Sequence, residues 1–431
     1  MPDFKSGARL KLTNGEEIIV KSKIGEGGQG AVYRVSQHGN DFALKWYLPS
    51  YLKGLKPNYK QFYKNLSDNV TRGKPSDAFL WQKAIAANDE GFGYIMDLRP
   101  PQYEEFTKFI KAKVRFSSTE TVIRAAIHVV EAFQALHRKG LSYQDLSPGN
   151  FFINKDTGDV LICDNDNVAP DGVNLGVGGT PGYVAPEVIL GKDKPGTDTD
   201  LFSLSVILFE LMFLSHPLDG VNCCKYPCLT QTVEKDLYAI NPIFVMSMDG
   251  RNAPVKGVHS NLIKLWPTYP EFLHDAFAQA FGIGLKDGSK RLSEGDWKKV
   301  LYRLLDESIS CPHCKELNFA SMGANSRLMC SNCGKVYAIP YKAVVNGFEV
   351  YIAAGHRVTD YHVSYGDYGK TIGTFVESKK NPGVFGLKND SDLIWSVTYP
   401  DNPARTYEPS KVVTMIPNTI INVGNKEIKI I

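Results

Sequence analysis

The feature that most constrains this chain is the order in which seven separated fragments occur. In chain order they are Gly25-x-Gly27-x-x-Gly30-x-Val32, Ala43-Leu44-Lys45, Asp145 with Asn150, Asp164, Ala185-Pro186-Glu187, Asp200 and Arg291. A glycine-rich turn, a lysine and hard oxygen ligands are the groups that hold phosphates together with a divalent cation. The order therefore predicts a phosphate-transfer site that one fold assembles from distant parts of the chain.

Length and composition predict a soluble protein with more than one core. The chain has 431 residues, of which 43% are hydrophobic and 22% charged, so we expect two or three domains. Its net charge of +3 gives no electrostatic sign of a nucleic-acid or membrane surface. Residues 1–5 lack the apolar core of a signal peptide, and the most apolar run, 201–214, is short for a membrane span. We therefore expect a cytoplasmic protein with no nucleic-acid or membrane partner.

The glycine motif is weak evidence by itself, because glycines also mark ordinary hairpins. A helix would follow the motif in a dinucleotide-binding fold, whereas residues 31–35 are β-type, which indicates a strand, a turn and a second strand. Lys45 ends a further β-type run fifteen residues after Gly30. That spacing favours a phosphate-binding lysine over one that is merely solvated at a strand end.

Together the fragments resemble a eukaryotic-type Ser/Thr protein kinase over about residues 15–305. The segment from Tyr143 to Asn150 is similar to the catalytic loop, and Asp164 stands where the aspartate of Asp-Phe-Gly belongs. Residues 179–187 resemble the end of an activation segment. The resemblance implies an α+β fold with an N-lobe at 1–98 and a C-lobe at 99–306, ATP and Mg²⁺ as cofactors, and a protein substrate.

The resemblance also implies a role for each matching residue. Asp145 and Lys45 are expected to be catalytic, and Asn150 and Asp164 to bind magnesium. The expected ATP-binding residues are Gly25, Gly27, Gly30, Val32, Ala43, Lys45, Met96, Asp97 and Leu98. The expected docking and structural residues are Thr180, beside Asp145 in Ser/Thr-specific enzymes; Glu187 and Arg291, as a buried ion pair; and Asp200, as an anchor of the catalytic loop.

Several positions depart from the family pattern. Tyr143 and Gln144 replace His-Arg before the catalytic aspartate, and no Ser, Thr or Tyr lies between Asp164 and Gly179, so we expect activity that does not depend on activation-loop phosphorylation. Ser147 stands where most such kinases have a lysine. The N-lobe helix offers no glutamate to Lys45, which leaves three candidate partners, Gln61, Asn65 and Asp68.

The C-terminal part has a different character. Two Cys-x-x-Cys pairs separated by fifteen residues predict a zinc ribbon at 307–340, with Zn²⁺ held by Cys311, Cys314, Cys330 and Cys333. The remaining cysteines, which include Cys223, have no ligand spacing and are expected to be thiols. Residues 341–431 are rich in β-formers and turns, which predicts an all-β sandwich with a faint resemblance to forkhead-associated domains but without their phosphothreonine-binding residues.

Two other functions stay open at this point. The missing lysine and glutamate are compatible with a pseudokinase scaffold that binds nucleotide without transferring phosphate. Small-molecule kinases of the aminoglycoside or choline type share Asp-x-x-x-x-Asn, but they lack the Ala-Pro-Glu segment with its distant arginine. Overall, the chain looks like bacterial eukaryotic-like kinases, some of which work beside a cognate phosphatase.

Overall fold

The computed structural model describes residues 4–55, 58–176 and 179–431. Residues 1–3, where no signal segment is expected, and residues 177–178 of the predicted activation segment lie outside the described residues. The chain divides into two compact units. The first consists of residues 1–117, 124–265 and 275–298, and the second of residues 118–123, 266–274 and 299–431.

A six-stranded antiparallel sheet forms the N-terminal part of the first unit. Its strands, in the spatial order β1-β2-β3-β4-β6-β5, are β1 (Arg9–Lys11), β2 (Glu17–Glu26), β3 (Gly30–Gln37), β4 (Asn40–Tyr47), β5 (Ala84–Asn88) and β6 (Gly91–Asp97). His38 and Gly39 join β3 to β4 with φ values of 48° and 81°, the left-handed turn that matches strand twist. At Gly30 a Cβ would lie 2.4 Å from the Trp46 carbonyl oxygen, so only glycine allows β3 to pair this closely with β4.

Helices dominate the regular secondary structure from residue 106 to residue 306. The helices of the chain up to this point are α1 (Pro49–Gly54), α2 (Tyr59–Arg72), α3 (Phe106–Ile110), α4 (Thr119–Arg138), α5 (Pro186–Ile189), α6 (Thr197–Phe213), α7 (Gln231–Lys235), α8 (Ser260–Leu265), α9 (Glu271–Phe281), α10 (Ile283–Lys286) and α11 (Glu294–Asp306). Short strands accompany them: β7 (Tyr103–Glu105), β8 (Leu141–Ser142), β9 (Phe151–Asn154), β10 (Val160–Ile162) and β11 (Ala169–Pro170).

Helix α6 is the buried centre of this helical part. Most of its side chains from residue 202 onward are apolar and buried, in agreement with the apolar run in the sequence. One exception is Glu210, whose pKa burial raises to about 7 and whose Oε1 accepts a 2.7 Å hydrogen bond from the Tyr183 hydroxyl. No helix among the described residues is long and apolar enough to cross a membrane.

The second unit is built mainly of antiparallel strands. Two small hairpins pair β12 (Ser308–Ser310) with β13 (Leu317–Phe319) and β14 (Arg327–Met329) with β15 (Val336–Ala338). The following strands are β16 (Lys342–Val345), β17 (Phe348–Tyr351), β18 (Arg357–Thr359), β19 (Thr371–Glu377), β20 (Phe385–Asn389), β21 (Trp395–Thr398), β22 (Arg405–Tyr407), β23 (Val412–Thr414), β24 (Ile420–Val423) and β25 (Lys426–Ile430). They form two sheets, β17-β16-β25-β24-β21-β22 and β18-β19-β20-β23, which bury one apolar core between them.

Asp306, the last residue of α11, is the polar anchor of this unit. Its two carboxylate oxygens accept hydrogen bonds from His362 Nε2 at 3.0 Å and from the Tyr368 hydroxyl at 2.8 Å. His362 belongs to a short helix, α12 (Asp360–Ser364), and the Tyr368 ring stacks on Tyr302 of α11 at 3.8 Å between centroids. Helix α11 therefore ends in direct contact with the β-rich part of the same unit.

Candidate active site

Lys45 lies near the end of β4 with its ammonium group among oxygen acceptors. Its Nζ donates to Asp166 Oδ2 at 2.9 Å, to Asp164 Oδ1 at 3.2 Å and to Gln29 Oε1 at 2.7 Å. Burial would lower the pKa of this amine, but the charges of Asp166 and Asp164 outweigh it and raise the pKa above its ordinary value. Lys45 is therefore a fixed cation near the centre of the site.

The sequence-based candidates for the partner of Lys45 are wrong. Among the described residues, neither Gln61 nor Asn65 nor Asp68 contacts its ammonium group. Gln61 is exposed, Asp68 forms a 2.8 Å ion pair with Lys64, and Asn65 donates to the Val168 carbonyl at 2.7 Å. Helix α2 does not supply the carboxylate partner of Lys45, because that partner is Asp166, which lies just after Asp164 and far away in sequence.

The predicted catalytic loop places Asp145 in a small network of hydrogen bonds. Thr180 Oγ1 donates to its Oδ1 at 3.1 Å, as predicted, and Asn167 Nδ2 donates to its Oδ2 at 3.4 Å. Burial raises the pKa of the Asp145 carboxyl, and the hydrogen bond from Thr180 lowers it in part. A carboxylate that is more basic than usual, with one face held by a hydroxyl, suits the acceptance of a hydroxyl proton.

Asp200, at the start of α6, accepts hydrogen bonds from the backbone of this loop. The amide of Tyr143 donates to its Oδ2 at 2.6 Å and the amide of Gln144 to its Oδ1 at 3.3 Å. Gln144 has a φ of 67°, a left-handed conformation that the two bonds help to hold. The Tyr143 hydroxyl also donates to the Cys163 carbonyl, which joins the loop to the strand before Asp164.

His137 was missed by sequence reasoning. It lies between two carboxylates, with Nε2 3.1 Å from Asp200 Oδ2 and Nδ1 in contact with Glu294. Burial lowers its pKa, but the hydrogen bonds to Asp200 and Glu294 raise it to a net value of about 9. The only sequence signal would have been a histidine in the last turn of α4, a position that by itself is unremarkable.

Asn150 and Asp164 offer oxygen atoms suited to a magnesium ion. Asn150 Nδ2 donates to the Asp145 carbonyl at 2.8 Å, which leaves the amide oxygen for a cation. The Asp164 side chain is 40% exposed, and its backbone is left-handed with a φ of 54°. A carboxylate and an amide oxygen of this kind form the hard, incomplete ligand set that magnesium shares with substrate phosphates. The residues present thus fit the ion.

The residues expected around adenine gather in one apolar cluster. Val32, Ala43, Met96 and Leu98 pack together with Leu161 from the strand preceding Asp164. Asp97 instead points to the surface, where it pairs with Lys83 at 2.9 Å. The glycine-rich turn lies beside this cluster, and at Gly25 and Gly27 an added Cβ would meet nothing within 4 Å, so these glycines leave the turn open to a ligand.

Glu187 and Arg291 form the expected ion pair in bidentate geometry. The two guanidinium nitrogens lie 2.7 and 2.9 Å from the carboxylate oxygens, and only 1% of the Arg291 side chain is exposed. Arg291 also donates to the carbonyls of Asp198 at 3.0 Å and Gly284 at 3.1 Å. The pair therefore fastens the end of the predicted activation segment to the helical core.

Four cysteines in the second unit have the arrangement of a closed metal site. Cys311 Sγ lies 3.8 Å from Cys333 Sγ, and Cys314 Sγ lies 3.5 Å from Cys330 Sγ. Tetrahedral zinc with ligands at about 2.3 Å places sulfur atoms roughly 3.8 Å apart, so the set fits this ion and leaves no position for a substrate. Asn318 supports the cluster through a 3.6 Å contact from Nδ2 to Cys330 Sγ.

A second group, Cys223, Cys224 and His259, also brings its ligand atoms within 4.8 Å of one another. His259 Nδ1 accepts a 2.9 Å hydrogen bond from the Val255 amide, so the neutral ring carries its proton on Nε2. A protonated nitrogen cannot ligate a metal. This chemistry agrees with the expectation that these cysteines are thiols.

Comparison with known proteins points in the same direction as the geometry. Residues 18–231 match the family described as "Protein kinase domain". The cGMP-dependent protein kinase, isozyme 2 forms cD5/T2, of Drosophila melanogaster is 29% identical over 50% of this chain and 23% of its own length. Maternal embryonic leucine zipper kinase of Danio rerio is 33% identical over 28% of this chain and 18% of its own. Serine/threonine-protein kinase 40 of Gallus gallus is 33% identical over 25% of each. The chain thus spans a quarter or less of the length of these relatives.

Proposed function

Because residues 18–231 match the protein kinase domain family, we propose that this chain is an ATP- and Mg²⁺-dependent Ser/Thr protein kinase of an atypical kind. The observation that carries the proposal is the joint placement of Lys45, Asp145, Asn150 and Asp164 around one site whose groups fit phosphate, metal and nucleophile. Each of these three roles, which phosphoryl transfer requires of the protein, has at least one residue present.

Each of these residues has a defined role in the proposed reaction. Lys45 holds the α- and β-phosphates of ATP, while Asp145 accepts a hydrogen bond from the substrate hydroxyl and takes its proton as the γ-phosphate is attacked. Thr180 fixes the orientation of Asp145. Asn150 and Asp164 would hold magnesium, which would supply positive charge against the phosphate oxygens.

The substrate is proposed to be a polypeptide hydroxyl. The pair between Glu187 and Arg291 holds the segment that begins at Thr180, and this segment is the peptide-docking platform in the family that the chain resembles. Transfer of labelled phosphate from ATP to myelin basic protein, followed by phosphoamino-acid analysis, tests the proposal. Phosphoserine or phosphothreonine supports it, whereas transfer only to aminoglycosides or choline, or nucleotide binding without transfer, contradicts it.

Activity is proposed to be independent of activation-loop phosphorylation. In place of the arginine that would bind a loop phosphate, Gln144 donates from Nε2 to the Val173 carbonyl at 2.6 Å, which ties the catalytic loop to the segment directly. No hydroxyl side chain lies between Asp164 and Gly179. Phosphatase treatment is therefore expected to leave the rate unchanged, and activation by phosphorylation of Thr180 would refute this part of the proposal.

The remaining features complete the proposal. Zn²⁺ at Cys311, Cys314, Cys330 and Cys333 has a structural role, and the strands at 341–431 form a structural or autoregulatory module. The proposal also includes a cytoplasmic location, a bacterial-type lineage and a cognate phosphatase. It includes no nucleic-acid or membrane partner. The division into 1–98, 99–306, 307–340 and 341–431 belongs to it as well.

A further inference from the structure

A lysine that holds phosphates needs a carboxylate to orient it, and helix α2 does not supply one. The single acid of α2, Asp68, lies on the surface and pairs with Lys64. The structure instead places Asp166 beside Lys45, with an Nζ to Oδ2 distance of 2.9 Å and no exposure of the Asp166 side chain. Asp166 lies two residues after Asp164, in the loop proposed to bind magnesium.

Building on the proposed function, we infer that Asp166 is the positioning residue of Lys45 and takes the place of the missing helix carboxylate. One further hydrogen bond reaches Asp166 itself, and two more hold the residue before it. The Tyr47 hydroxyl donates to the same Oδ2 atom at 2.6 Å, and the preceding residue, Asn165, donates from Nδ2 to the carbonyls of Leu80 at 2.9 Å and Ile162 at 3.0 Å. The lysine is thus oriented by a loop that is itself pinned to buried backbone.

Helix α2 has a different task in this arrangement. Asn65 and Asn69 are one helical turn apart, and both donate from Nδ2 to the Val168 carbonyl, at 2.7 and 2.8 Å. The helix therefore holds the segment that follows Asp166 and makes no contact with Lys45 among the described residues. As a consequence, the orientation of Lys45 depends on the loop that contains Asp164 and Asp166, and not on a carboxylate that moves with helix α2.

The acceptors around Lys45 show why removal of Asp166 would matter. Asp166 is fully buried and its Oδ2 lies 2.9 Å from Nζ, whereas the Asp164 side chain is 40% exposed and lies 3.2 Å away. Without the Asp166 carboxylate, the ammonium group keeps only the partly exposed Asp164 and the Gln29 amide oxygen among these acceptors, so its position is held less firmly.

Binding of the fluorescent nucleotide mant-ADP with Mg²⁺ at pH 7.5 tests the inference independently of phosphate transfer, because Lys45 contacts the α- and β-phosphates in the proposed function. Asp166→Asn keeps the shape and removes the charge. We expect its Kd to rise at least tenfold above that of wild type. Asp68→Asn, the same change on the surface of α2, is the matched control and should stay within twofold of wild type.

A Lys45→Met background separates positioning from general structural damage. If Asp166 acts through Lys45, Asp166→Asn should add less than about twofold in that background. Tyr47→Phe, which removes only the hydroxyl that anchors Asp166, should weaken binding about threefold and answers the question if Asp166→Asn does not fold. Three results would each overturn the inference: an Asp166→Asn protein with wild-type affinity, equal losses of affinity with and without Lys45, or a Tyr47→Phe protein with unchanged affinity. If the wild-type protein binds mant-ADP but transfers no phosphate, that result counts against the proposed function and leaves the inference about Asp166 standing.

Discussion

Replacement of Glu187 by Gln should reveal how strongly the buried ion pair supports the first unit. The substitution keeps the side-chain shape but leaves the Arg291 guanidinium, whose side chain is 1% exposed, without its counter-charge. Breaking a buried pair on one side costs about 3–5 kcal/mol. Because 24% of the Glu187 side chain is exposed and Arg291 keeps two carbonyl acceptors, we expect the lower end, about 3 kcal/mol.

Urea unfolding followed by tryptophan fluorescence measures this loss. The matched control is Glu17→Gln, which breaks an exposed pair with Arg9 at 3.4 Å and should cost at most about 1 kcal/mol. A Glu187→Gln/Arg291→Met double variant should be more stable than the sum of the two single losses predicts, because it leaves no buried charge unpaired. A cost of Glu187→Gln no greater than that of Glu17→Gln would refute the reasoning.

The remaining predictions concern pH and metal. Thr180→Val removes the hydrogen bond that lowers the pKa of Asp145, so the acid limb of the kcat/KM profile should move to higher pH. An acid limb at the wild-type position would disprove the effect of this contact. His137 has a folded-state pKa raised to about 9, so the stabilisation that its charged form provides is fully present below about pH 6.5 and is lost as pH rises toward 9. The free energy of unfolding should fall by up to about 3 kcal/mol across that window. A His137→Gln protein should not show this fall. Elemental analysis should find one zinc per chain and none in Cys330→Ser, whereas zinc retained by that variant would exclude the four-cysteine site.

The order of motifs predicted the fold of the first unit well. Glycines, lysine, carboxylates and the Ala-Pro-Glu segment are local signals that keep their spacing in the chain, and residues 18–231 match the protein kinase domain family. The partner of Arg291 was also correctly anticipated, because the resemblance supplied a pairing between distant positions that no local pattern could give.

The partner of Lys45 could not be predicted from the sequence. Asp166 lies 121 residues further along the chain, and its approach depends on how the loop after β10 turns beneath the sheet, which no periodicity records. The same limit applies to His137, whose two carboxylate neighbours come from α6 and α11. In both cases the charged side chains meet because tertiary packing brings distant parts of the chain together in a buried place.

The most direct measurement of the central claim is γ-phosphate transfer by wild type and by Asp145→Asn under identical conditions with ATP and Mg²⁺. The substitution keeps the hydrogen bond available to Thr180 but removes the proton acceptor. We predict that transfer to Ser or Thr residues falls at least about 100-fold while mant-ADP binding stays within a few-fold of wild type. Equal transfer by both proteins, or no transfer by wild type, would contradict the account.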